Sequence, residues 1–145
     1  MADSTRTAAP WHLWAVGVVS LLWNAFGGYD YVMTQIRDPA YLSHLPAEMG
    51  AYLDSFPVWS TAAWAIGVWG SVLGSLLLLV RSRHAAAAFL VAWVSTAITF
   101  TYHYVVGMPP SIDTPGINAF KALIFALIVA FWWYARRAAA QGILR

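Results

Sequence analysis

The chain contains no cysteine. That absence excludes disulfides, thiolate metal sites and a thiol nucleophile. It also removes cysteine usage as a guide to the redox compartment. Charge is the second scarcity. Only 10% of the 145 residues are Asp, Glu, Lys or Arg, against about 25% in an ordinary soluble domain. With 61% hydrophobic residues, a water-soluble fold could not cover itself with polar surface. The net charge is only +2, and the basic residues sit at the ends of apolar runs. This excludes the clustered basic face of a nucleic-acid binder. Catalytic signatures are missing too: there is no Ser/His/Asp pattern, no phosphate loop and no paired-carboxylate motif. No two of the four histidines stand at helical ligand spacing. His103 is the one candidate for an axial haem ligand, with nothing beside it. No metal and no cofactor are therefore expected, and catalysis has no positive support in the sequence.

What the chain does have is four apolar runs of about the length, 20 residues, that crosses a bilayer. They cover about residues 11–35, 57–80, 85–106 and 115–135. The first run is followed by no small-x-small cleavage site, so it reads as a retained helix with Trp11 and Trp14 at a membrane interface. The expected fold is all-α: an antiparallel bundle of four transmembrane helices in one integral membrane domain, residues 1–145. Residues 37–57 do not continue the pattern. They hold Asp38, His44, Glu48, Asp54 and three prolines. Pro46 to Leu53 predicts a short interfacial helix opening on Pro46, one of one or two such pieces between the first two spans. Thr114 and Pro115 are a helix cap and first position, and Arg136 and Arg137 are expected to end the last helix.

Orientation follows from the basic residues. Arg6, Arg81, Arg83, Arg136, Arg137 and Arg145 fall on the side of both termini, and only Arg37 and Lys121 on the other. Positive residues stay cytoplasmic, so both termini are expected inside. On the outer side Tyr29-Asp30-Tyr31-Val32 closes the first span and Tyr102-His103-Tyr104-Val105 the third. A duplicated helical hairpin would produce that likeness, and it places Asp30 and His103 at similar depth. In the second span Ala63, Gly67, Ser71 and Ser75, with Gly70 and Gly74, form a small-residue stripe. Such a stripe lets helices approach closely in lipid. It serves either packing within the chain or a homodimer through Gly67, Gly70, Ser71 and Gly74.

Polar residues of the spans gather toward the outer half: Asn24 and Asp30, then Ser95, Thr99 and His103 at four-residue steps on one face, then Asn118 and Lys121. Facing inward, Asn24, Asp30, Thr99, His103, Asn118 and Lys121 would line a ligand pocket open to the outer side, with Glu48 and Asp54 near its mouth. An unpaired charge in lipid costs at least about 2.5–3.5 kcal/mol, which favours pairs such as Asp30–His103 or Asp30–Lys121. Against this, Lys121 lies close enough to its helix end to snorkel outward. Trp59, Trp64, Trp69 and Trp93 either anchor helices in lipid or line a cavity for a sugar, quinone or carotenoid.

The run LLWNAFGGYDYVMTQIRDPAYL, followed by FPVWSTAAWAIGVWGSVLGSLLLL, resembles a family of small four-span bacterial inner-membrane proteins. Some of its members carry an automatic label of sugar transporter. The resemblance implies a bacterial inner membrane and supplies no functional residues. Three functions fit the sequence: binding or transport of a small polar solute through the outward pocket, a non-catalytic subunit of a larger membrane complex, and, with least behind it, a membrane enzyme using His103 as acid or base.

Overall fold

The computed structural model describes residues 8–145; Arg6 of the charge pattern lies outside the described residues. These form six helices and, among them, no strand. They are α1 (Trp11–Gln35), α2 (Pro39–Leu42), α3 (Met49–Asp54), α4 (Val58–Leu79), α5 (Ala85–Val106) and α6 (Pro115–Ala140). Three of them, α4, α5 and α6, are long and apolar enough to cross a membrane. α1 matches them in length and carries Asn24 and Asp30 within it.

The four long helices alternate in direction around a common axis. Gly17 of α1 faces Leu79 of α4, and Gly28 faces Trp69, so one chain rises as the other falls. Between α4 and α5, Gly67 meets Thr96 and Gly74 meets Phe89. Phe89 then pairs with Phe131, and Trp93 with Phe125, across α5 and α6. The ring closes where His12 bonds the Tyr134 hydroxyl at 2.6 Å and Trp23 meets Phe120.

Helix association in lipid rests on close packing and interhelical hydrogen bonds, and α4 supplies both. A Cβ added at Gly67 would stand 2.8 Å from Thr96 Oγ1, and one at Gly74 2.9 Å from the Phe89 ring. Ser71 and Ser75 turn instead to α1, where Asn24 Nδ2 donates to the Ser71 carbonyl at 3.2 Å and to Ser75 Oγ at 2.9 Å. Gly67, Gly70 and Gly74 face α5, and Ser71 and Ser75 face α1, so the stripe serves packing within the chain.

The two ends of the bundle differ. At the end carrying the termini, Leu13, Leu78, Phe89 and Ala135 are fully buried, and the C-terminal Ile143 and Leu144 join them. That tail is pinned to the α4–α5 turn: Arg145 N–H donates to the Arg81 carbonyl at 2.7 Å, and Arg83 N–H to the Arg145 carbonyl at 2.8 Å. Arg81 Nε adds a bond to the Ile143 carbonyl at 3.1 Å. The opposite end is covered by α2 and α3.

Two expected boundaries move. Arg136 and Arg137 do not end the last helix, which runs on to Ala140. Arginine is a good helix former, and its charge suits a helix C-terminus. The guanidinium groups lie over Trp132 and Trp133, and the chain turns only near Gly142, at φ +70°. Pro46 likewise opens a turn, closed by Met49 N–H on its carbonyl at 2.9 Å, and helix α3 begins after it. Two helix starts carry side-chain caps: Thr114 accepts from Ile117 N–H, and Asp38 accepts from Tyr41 N–H ahead of Pro39.

Candidate functional site: a chamber at the loop-covered end

Away from the packed end the four long helices and the covering segment line two adjoining, partly open cavities of about 300 and 220 Å³. The larger reaches toward the bundle centre and includes Trp23, Asn24, Gly67 and Ser71 in its wall. The smaller lies nearer the helix ends, beneath α3, and includes Thr99, His103 and Lys121. Asp30, Trp64, Phe100, Phe120 and Ile124 belong to both walls. Aromatic and aliphatic side chains make up most of the lining, with a few convergent polar groups. That is the ordinary make-up of a small-molecule site.

Asp30 stands four residues before Thr34, near the α1 terminus, and accepts from the hydroxyl of Tyr41 on α2. Burial, and then that bond and the carboxylate's charge, push the Tyr41 phenol well above its usual value. The bond holds α2 against the shared wall. Two polar clasps hold the rest of the covering segment. Arg37 pairs with Asp54 at the end of α3, and Glu48 accepts from Ser111 Oγ of the α5–α6 loop at 2.6 Å.

α3 places Tyr52 beside His103 on one side while Phe56, just beyond it, stacks on the imidazole at 4.6 Å. Both His103 Nε2 and the Tyr52 hydroxyl are buried without a hydrogen-bond partner. Burial, then the nearby Tyr102 and Asp113, raise the Tyr52 phenol. Lys121 Nζ lies beside Met108 Sδ and over the Phe100 ring. Among the described residues no carboxylate is within ion-pair distance of it; the one ion pair there is Arg37–Asp54.

The structure brings Asp30, Thr99, His103 and Lys121 to one cavity and Asn24 to its neighbour. Asn118 goes elsewhere: it lies exposed and donates to Asp113 Oδ1 at 2.7 Å. Neither the Asp30–His103 nor the Asp30–Lys121 pair forms, since Asp30 is taken by Tyr41. Thr99 spends its hydroxyl on the Ser95 carbonyl at 3.0 Å. Of the four tryptophans, Trp64 lines both cavities, Trp93 packs on Phe125 and Trp132, and Trp59 and Trp69 are exposed. Tyr41, Tyr52 and Phe56 belong to the site and were not singled out from the sequence for it. Their signal was the apolar side of the 41–56 segment, which reads equally as a membrane-facing surface. Among the described residues no group of three His, Asp or Glu side chains gathers as a metal site.

No protein-family model matches this chain, and no curated protein or solved structure is similar to it.

Proposed function

We propose that this chain is a four-span protein of a bacterial inner membrane, α1 being the fourth span, with both termini in the cytoplasm. We further propose that it binds a small solute bearing a polar group in the chamber at its outer end, as a binding protein or carrier. Support for the orientation comes from the basic residues Arg81, Arg83, Arg136, Arg137 and Arg145 at one end, against Arg37 and Lys121 at the other. In this reading α2 and α3 lie at the outer interface, as amphipathic segments do.

One observation carries the binding role. The cytoplasmic end is packed solid around Leu13, Phe89 and Phe131, while the outer end is hollow. Charged side chains inside a membrane are expensive and mark ligand pathways, and here Asp30 and Lys121 border the hollow. The test is native mass spectrometry of the protein released gently from its own membrane. A retained small-molecule mass is expected, lost in the Asp30→Asn, Lys121→Met double variant while the fold persists. A wild-type protein carrying no such mass, or a double variant that keeps it, sinks the proposal. A stoichiometric foreign protein in its place would favour the accessory-subunit reading.

A further inference from the structure

We infer that the chamber takes an amphipathic carboxylate, a single apolar body with one negative head, and that it enters sideways from the bilayer between α1 and α6. This rests on the binding role proposed above and names the class of ligand.

The route comes from the helix packing. α4 lies against α1 and α5, and α5 against α6, along their lengths, whereas α1 and α6 touch chiefly through the side-chain pairs His12–Tyr134 and Trp23–Phe120. Phe26 of α1 and Phe120 of α6 line the larger cavity, yet 59% and 46% of their surfaces are exposed. A side chain that is both wall and surface marks a mouth. This mouth is on the flank of the bundle, where apolar helix surface meets lipid, and not at the covered end. Two clasps and the Asp30–Tyr41 bond tie the covering segment down over that end. A freely water-soluble solute would meet an aromatic doorway, while an apolar body partitions into it.

The head group follows from the charges. Lys121 borders the smaller cavity with a thioether and an aromatic face for neighbours. Asp113, the acid of the adjoining loop, bonds Asn118 and reaches Lys121 only through space, beyond ion-pair distance. One unpaired cation in an apolar wall matches one negative charge. Asp30, in the wall common to both cavities, adds repulsion that a phosphate monoester of charge about −1.5 to −2 would feel more than a carboxylate. His103 and Tyr52 bring two further polar groups with no partner of their own. The volumes agree: the adjoining cavities of about 300 and 220 Å³ fall in the range of small-ligand pockets, with room for one chain or a compact ring system in the larger and its head group in the smaller.

The test uses full-length protein in phosphatidylcholine nanodiscs with parinaric acid, a fluorescent single-chain carboxylic acid, as the probe. We expect saturable binding, at least about tenfold tighter than for its methyl ester. Lys121→Met should erase that tenfold preference, and Lys121→Arg should keep it. Gly27 lines the larger cavity with open space around its Cβ position, so Gly27→Phe should fold, obstruct the chamber and weaken acid and ester alike by tenfold or more. Equal binding of acid and ester overturns the assignment, as does an unaltered preference in Lys121→Met. Tighter binding of an alkyl phosphate overturns the carboxylate, and equal competition by acetate overturns the apolar body and the lateral route. The two readings fail separately. If parinaric acid does not bind while native mass spectrometry finds another mass that Asp30→Asn, Lys121→Met removes, this inference falls and the binding role stands. If neither is seen, both fall.

Discussion

Asn24 is a polar residue in the middle of an apolar helix, and the reason lies on the neighbouring helix. Its Nδ2 joins α1 to the Ser71 carbonyl and Ser75 hydroxyl of α4. Interhelical hydrogen bonds in membrane proteins average about 0.6 kcal/mol, with a maximum near 1.7. Asn24→Ala should destabilise the protein within that range, measured by reversible unfolding in mixed micelles, and should leave the fold intact. Glycines allow a sharper contrast. Gly74→Ala would drive a methyl into the Phe89 ring, which is fully buried and backed by Phe131. Overpacking of this kind costs about 1–3 kcal/mol. Gly27→Ala meets nothing within 4 Å and should be neutral or slightly stabilising in the same assay, since alanine is the better helix former. The sequence made Asn24 legible as a buried polar group, but not its partner. Asn118 shows the converse limit. It lies three residues from Lys121, near enough to share a helix face, yet the loop acid Asp113 draws it outward. Helical period predicts shared faces; it does not predict what a loop offers beside them.

The elements were more legible than their ends. Runs of 20-odd apolar residues announce helices because every backbone group in lipid must be bonded within the segment. Thr114 and Pro115 fixed the start of α6 for a local reason that needs no tertiary context. The close of α6 did need it, because Arg136 and Arg137 find the Trp132 and Trp133 faces. The segment carrying α2 and α3 was readable as short helices with an apolar side, whereas its grip on Asp30 through Tyr41 was not. No periodicity links residues across an irregular turn, and Arg37 makes that turn at φ +55°. This grip has a pH signature. Folding holds the Tyr41 and Tyr52 protons more tightly than the unfolded chain does. Their contribution to stability is therefore complete below the ordinary phenol value of 10.0 and is lost as pH climbs beyond it. Unfolding midpoints should fall progressively as pH rises above about 10, and Tyr41→Phe should flatten the decline. An equal decline in Tyr41→Phe would mean that other groups set the alkaline limit.

At the scale of the whole molecule, one asymmetry runs through charge and packing together. The arginine-bearing end is sealed by its own C-terminal tail, and the acidic end is hollow and covered by a short-helix segment. In the orientation proposed above, with the positive end in the cytoplasm, the hollow faces outward. The absence of cysteine makes this directly testable, since any introduced thiol is the only one present. Ala8, Ala47 and Gln141 are all exposed and stand, respectively, before α1, in the covering segment and after α6. In intact bacterial cells a membrane-impermeant maleimide should label Ala47→Cys at once. It should reach Gln141→Cys only after the membrane is opened. Ala8→Cys decides whether α1 is a span. Labelling only after opening, like Gln141→Cys, means that α1 crosses the membrane and both termini are inside. Labelling in intact cells, like Ala47→Cys, means that α1 lies outside and three helices cross. In that case the flank between α1 and α6 would no longer face the bilayer interior, and a lateral route into the chamber would lose its physical basis.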